Sequence, residues 1–341
     1  MKRILLILLL FPILMFGNMA KPWMDGSQHS VLFGGDASVK KEIINIRIIK
    51  DSLHEIHYAN YSIKYHIYSP RKQTLPLLFV AMDLFGNQQI KVNNRLIKIE
   101  PLDFEKKTYP FIKKNTNGTF ITFDGKQEYY IYQNDLIYFS ADLKKGDNII
   151  EIQYDANMEY NTYGFIQKYK LEYSLSPSQY WKSFGPIEVN LILDNQVDFK
   201  ESNLGQEKES NQILKWTITP QNRDKIEIKL SEKTSFISKV LLTLDPFGIA
   251  ILSLVVMFFV HLKLMKKNSK TYVLVLGIIL VPILFYVVYF LSYNLIDFSL
   301  GKEHTRHGYI FFIVLTYPIL LLFYWILIWQ IHKRRKAKQA V

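Results

Sequence analysis

The residues best suited to chemistry are a few histidines, carboxylates and clustered aromatic rings. A zinc site on a helix uses two histidines four residues apart with a glutamate as base. His54-Glu55-Ile56-His57 has three-residue spacing in a stretch that reads as strand, where His54 and His57 point to opposite faces and cannot share a metal. His304 and His307 could share a metal on a helix, but two ligands with no third nearby make a poor site and leave them as solvated loop side chains. Asp142, Asp147, Asp155 and Glu159 gather around a turn, yet their spacing matches no calcium loop, and a solvated acidic rim is the expectation. Serines occur without a Gly-x-Ser-x-Gly elbow, and Gly34-Gly35 lacks the rest of a phosphate-cradling loop. The chain has no cysteine, which excludes disulfides, thiolate metal sites, a cysteine nucleophile and a lipid anchor made on cysteine. The expectation is no catalytic residue, no metal and no cofactor.

Aromatic side chains form the most unusual pattern. Tyr58, Tyr61, Tyr65 and Tyr68 come early, then Tyr160, Tyr163, Tyr169, Tyr173, Tyr180 and Trp181. Such rings can stack on sugar or grip a peptide, but they are also natural strand residues that pack across pairs. The segment from Pro177 to Pro186 reads as an aromatic loop, with Tyr180, Trp181 and Phe184 as candidate ligand or partner contacts.

The elements that would carry these residues are mostly strands. From about Val39 to Leu230, apolar residues alternate with polar ones in runs of five to ten, separated by Asn, Gly, Asp or Pro. Ala59, Tyr61, Ile63, Tyr65 and Ile67 fall on one face, and Asn60, Ser62, Lys64 and His66 on the other, which describes a half-buried antiparallel strand. Asn93-Asn94 between two apolar runs predicts a tight hairpin, because asparagine tolerates the positive φ such turns need. About a dozen strands without an amphipathic helix predict a mainly β domain at 21–246, a β-sandwich or two in tandem with a boundary near 157–164.

The two ends read differently. Lys2 and Arg3, the apolar run Ile4–Phe16 and the small residues Gly17 and Ala20 have the layout of a signal peptide over 1–20, cleaved or kept as an anchor. Three apolar runs, 247–264, 272–293 and 309–331, are long enough to span a bilayer. Tyr272, Tyr293, Tyr309, Trp325 and Trp329 near their ends read as interface anchors, and Pro282 and Pro318 fall inside the second and third. No Asp, Glu, Lys or Arg lies mid-span, so transport by this chain alone is not expected.

Charge sets the orientation. Residues 21–246 carry a net +1, whereas the remaining segments carry +11. The loop at 265–271 and the tail at 332–341 are basic, and the loop at 294–308 is balanced. Basic loops stay in the cytoplasm, so the β domain is expected outside a bacterial cytoplasmic membrane. A nucleic-acid binder would carry its basic stripe on the folded domain instead.

The strand-rich chain with Leu143-x-x-Gly146-x-Asn148-x-Ile150 resembles β-sandwich modules of bacterial surface and periplasmic proteins, including the non-catalytic N-terminal domain of metallo-aminopeptidases. The metal-binding helix of that family is absent, so the resemblance implies a sandwich fold and carries neither activity nor residues. The expected function is that of a non-enzymatic, membrane-anchored protein whose exterior domain binds or positions another envelope component. Membrane lipid and an envelope protein, or a second copy, are its expected partners. The rival readings are a receptor for saccharide or peptide, and a hydrolase whose site is assembled from distant residues.

Overall fold

The computed structural model describes residues 28–29 and 36–339, apart from 55, 82, 101–111, 117, 122–127, 131, 133–134, 176–177, 179–180, 211–212, 221–223, 269 and 303–310. The segment expected to be a signal peptide lies outside them. The chain divides into two compact units between Lys233 and Thr234.

The first unit is a β domain. Its strands are β1 (Gln28–His29), β2 (Ser38–Asp51), β3 (Ile56–Ser69), β4 (Gln73–Val80), β5 (Leu84–Val92), β6 (Arg95–Ile97), β7 (Ile112–Asn115), β8 (Gly118–Ile121), β9 (Tyr129–Tyr130), β10 (Leu136–Leu143), β11 (Gly146–Asn157), β12 (Glu159–Asn161), β13 (Lys168–Ser174), β14 (Ser183–Phe184), β15 (Ile187–Ile192), β16 (Val197–Ser202), β17 (Lys208–Ser210), β18 (Ile213–Ile218) and β19 (Lys225–Glu232). A nine-stranded sheet runs β17-β18-β15-β2-β3-β11-β5-β6, with β14 also on β2. A second sheet joins β1-β13-β19-β16 and β12, while β4 pairs with β10 and β7-β8-β9 form a small meander.

Side-chain alternation explains why the large sheet needs a cover. Ile44, Ile46 and Ile48 of β2, Ala59 to Ile67 in odd steps on β3, and Ile150, Ile152 and Tyr154 of β11 are all at most 3% exposed. The register aligns them into rows, for example Tyr154, Tyr61, Ile46 and Leu191 across four strands. Each large apolar side chain so buried contributes roughly 1.5–3 kcal/mol. Two smaller layers cover this face. Phe79 of β4 meets Tyr154 at 5.4 Å between ring centroids. Tyr173 of β13 reaches Tyr65 and Glu42 by hydrogen bonds.

One apolar cluster runs from Ala37 to Leu230, so the boundary expected near 157–164 does not separate two cores. The reason is β15, which lies parallel to β2 and returns the later half of the chain to the same sheet. The Asn93-Asn94 hairpin is present between β5 and β6, with φ of 49° and 66°.

The Leu143-x-x-Gly146-x-Asn148-x-Ile150 signature proves to be a turn. Leu143 and Ile150 are buried, and Gly146 has φ 96°. Asn148 is 2% exposed; its Oδ1 accepts from Lys144 N and Asn93 Nδ2, and its Nδ2 donates to the carbonyls of Lys144 and Gly146.

The second unit contains three helices long and apolar enough to cross a membrane. The first, Phe236–Lys267, begins earlier than expected because Ser235 caps it, accepting from Ser238 N at 3.1 Å. It is broken at Asp245 (φ 59°, ψ 163°) before Pro246, since the ring disfavours helical geometry in the preceding residue. The second, Thr271–Ser299, buries Pro282 and continues past 293, so that Asp297, read as a loop residue, lies in its last turn and is buried. The third, Tyr317–Gln339, follows a 3₁₀ turn at Phe311–Thr316. Pro318, expected inside the span, sits instead in the first turn of that α-helix, where its missing N–H costs nothing.

Candidate functional site

The outer face of the nine-stranded sheet presents a polar surface. Its register produces parallel rows across six strands, β18, β15, β2, β3, β11 and β5, which span about 24 Å at 4.8 Å per strand. One row is Thr217, Glu188, Ile43, Lys64, Glu151 and Lys91. The next is Lys215, Asn190, Asn45, Ser62, Gln153 and Gln89, five of them uncharged hydrogen-bonding groups. Every residue of both rows is exposed or half-buried.

Much of the charge on this face is neutralised within it. Lys64 pairs with Glu151 at 2.6 Å and Lys41 with Glu188 at 2.7 Å. Asn190 donates to Asn45 at 2.9 Å, Asn60 donates to Asp155 at 2.7 Å, and Tyr58 packs edge-on to Phe85. The outer face of the second sheet is a lattice of ion pairs instead. Glu159, Lys170, Glu172, Lys225, Glu227, Lys229 and Glu201 are linked in sequence at 2.5–3.5 Å. A shallow depression of about 230 Å³ lined by Glu201, Ser202, Asn203, Glu227 and Lys229 lies at its edge.

Between the sheets lies an acid that the alternation carries inward. Glu42 is in phase with Ile44, Ile46 and Ile48, is 0% exposed, and sits in a row with Ile150, Tyr65 and Ile187. The Tyr173 hydroxyl donates to Glu42 Oε1 at 2.6 Å, and the Tyr65 hydroxyl lies 2.9 Å from that of Tyr173. Glu42 Oε2 has no hydrogen-bond partner among the described residues. Burial pushes the carboxyl from 4.5 up to about 7, with the Tyr173 and Tyr65 hydroxyls opposing that rise. Burial also raises the phenols of Tyr65, Tyr154 and Tyr173 well above their ordinary range.

The residues singled out by sequence are dispersed. Trp181 is 5% exposed within the core, and Phe184 is half-buried against the same cluster, so neither ring forms the exposed loop expected of 177–186. Packing accounts for both, because β14 at Ser183–Phe184 pairs with β2 and draws the segment onto the sheet. Tyr180 lies outside the described residues, as do His304, His307 and Tyr309.

His54 stands in the β2–β3 turn bonded to Asp51 at 2.7 Å. His57 is buried, with Tyr169 at 3.1 Å and Asp194 at 3.4 Å, and the two histidines do not converge. The four acids expected to form a rim each have a separate partner: Thr74 for Asp142, Lys40 for Asp147, Asn60 for Asp155 and Lys170 for Glu159. No three of His, Asp and Glu come together as a metal-holding group among the described residues.

In the helical unit, Tyr272 is 54%, Trp325 48% and Trp329 50% exposed, whereas Tyr293 is half-buried and bonded to Tyr289 at 3.0 Å. Sequence reasoning passed over His261. It is 3% exposed, and its Nδ1 lies 2.9 Å from the Tyr324 hydroxyl of the third helix. A Cβ at Gly277 of the second helix would come within 2.0 Å of His261 Nε2, so the ring occupies space that only glycine leaves open. A lone histidine in an apolar run was the available signal, just as Glu42 was signalled by its phase.

No family model matches the chain, and no curated protein matches it. Among solved structures it is similar to a proposed nutrient-binding protein of Legionella pneumophila, at 12% identity and a TM-score of 0.44, over 62% of this chain and 72% of that one. It is also similar to leukotriene A4 hydrolase from Saccharomyces cerevisiae, at 8% identity and a TM-score of 0.31, over 57% of this chain and 29% of the hydrolase. The same hydrolase bound to bestatin gives 10% identity and a TM-score of 0.30, over 58% of this chain and 29% of that one.

Proposed function

We propose that this chain is a non-enzymatic binding module of a bacterial cell envelope, held in the cytoplasmic membrane by its three helices, with its β domain outside. The domain presents the outer face of the nine-stranded sheet to another envelope component. The observation that carries this reading is that face: six strands of mainly polar rows, exposed or half-buried, in which Glu151 and Glu188 are paired with Lys64 and Lys41. A partner docked there meets two acids already paired, and aligned amides and hydroxyls that can hydrogen-bond to it, while Lys91 and Lys215 favour an acidic group on the partner. The basic stretches at 263–270 and 333–338 support an outside position for the domain, and the leader-like 1–20 supports it separately.

A photo-crosslinking residue at Ser62 or Gln153, compared with one at Asn203 in the turn after β16, tests the reading in cells. One recurring crosslinked component from the first two positions, absent at Asn203, is the expected result; equal patterns at all three would refute it. Reporter fusions within 266–270 and after Val341 should be active only inside the cytoplasm.

A saccharide receptor is the second reading. Asn190, Asn45, Ser62, Gln153 and Gln89 favour it, because aligned amides and a hydroxyl offer donors and acceptors to a neutral, hydroxyl-rich chain.

A further inference from the structure

The first and third helices end in cations. Lys263, Lys266 and Lys267 close the first, Lys270 caps the second, and Lys333, Arg334, Arg335, Lys336 and Lys338 close the third. Residues 262–296 and 309–341 contain no Asp or Glu, so no carboxylate from these stretches neutralises the nine.

The structure brings the two groups to one end of the bundle. His261 and Tyr324 join the first and third helices at 2.9 Å with stacked rings, and Gly277 of the second seats the histidine. Lys267 lies about 9 Å beyond His261 along its helix, and Lys333 about 14 Å beyond Tyr324, so the cations emerge at nearly the same height. Just inside them, apolar side chains stay uncovered: Val260 and Leu264 are each 51%, Tyr272 54% and Trp329 50% exposed. Lys333 Nζ stands over the Trp329 ring, 5.4 Å from its centroid.

We infer that this end of the bundle is a binding site for anionic phospholipid. The headgroup phosphodiester pairs with Lys333 and Arg334 at the end of the third helix, the lysines of the first helix add to the positive field around it, and an acyl chain lies on the Trp329 ring beneath Lys333. Cations bordering bare hydrocarbon fit an amphiphile with a negative head. A nucleic acid or an acidic peptide would leave that apolar border unoccupied. The site rests on the reading that the helices span a membrane.

The test uses the full-length protein in detergent, with native mass spectrometry against phosphatidylglycerol and phosphatidylcholine of matched chains. Phosphatidylglycerol should bind at least tenfold more tightly, and salt should weaken it. The K333Q/R334Q/R335Q/K336Q variant should lose that preference, whereas K333R/K336R keeps it. Equal binding of the two lipids by the natural sequence would overturn the site whether or not the glutamine variant folds, as would displacement of phosphatidylglycerol by millimolar inorganic phosphate. Release of the protein from membranes by alkaline carbonate would overturn the membrane reading itself; absence of any lipid preference in the natural sequence while it stays membrane-bound would overturn only the site.

Discussion

Glu42 makes the stability of the β domain depend on pH in a direction that can be measured. Its carboxyl is raised from 4.5 to about 7 in the fold, mainly by burial. The unfolded chain therefore releases this proton before the folded one does. Stability is complete below about pH 4.5, falls as pH rises, and levels off above about pH 7, for a total loss of about 3 kcal/mol. The groups facing the carboxyl are the phenols of Tyr65, Tyr154 and Tyr173, which stay protonated throughout, and none is a cation.

Glu42→Gln removes the titration but also buries an amide with its own unmet needs, so the informative quantity is the change with pH. Urea unfolding of the full-length protein in detergent, followed by the fluorescence of buried Trp181 and Trp216, should show the natural chain losing about 1 M in midpoint between pH 5 and pH 8 more than Glu42→Gln does. Asp83, Asp135 and Glu159 are also pushed up by burial and act in the same direction, but they are common to both proteins and cancel. Parallel loss of stability in the two proteins would refute the reasoning.

Asn148→Ala leaves two carbonyls, an amide N–H and the Asn93 side chain without their partner, and should cost about 2–4 kcal/mol in the same urea assay, with the Lys144–Asn148 turn losing hydrogen-exchange protection. Trp181→Ala should cost about 3–5 kcal/mol as a cavity in the core, and calorimetry should register it as a lowered Tm whatever the domain binds. Gly277→Ala drives a methyl into His261, and should shorten the time the purified protein keeps its compact migration in dodecyl sulfate, while Gly248→Ala, whose Cβ would meet only Leu244 at ordinary contact distance, should not.

What the sequence made legible follows from what periodicity encodes. Alternation identifies a strand and its inward face, so Tyr61, Ile63 and Tyr65 are readable as one side of β3, and Asn93-Asn94 as the hairpin between β5 and β6. It says nothing of which strand lies alongside. The parallel pairing of β15 with β2, which unites the two halves, is therefore invisible until the chain is folded. The prolines that flank Trp181 and Phe184 suggest a loop, whereas two backbone bonds, Lys182 N to Ala37 O and Gly185 N to Val39 O, tie that segment to the start of β2. The polar rows of the outer face needed the register of six strands at once. Glu42 and His261 needed only a different question, namely which polar residue occupies an apolar phase.

The break at Asp245 changes the length that meets the bilayer. An unbroken helix from Phe236 to Lys267 would be about 48 Å long, well beyond the roughly 30 Å of hydrocarbon. Counted from Pro246, the remaining rod is about 33 Å and can stand nearly upright. The nine residues before the break take another direction, held by the Ser238 hydroxyl donating to the Ser299 carbonyl at 2.7 Å, and Phe236 and Ile237, 81% and 67% exposed, give that short piece an apolar side suited to the headgroup region, as a float.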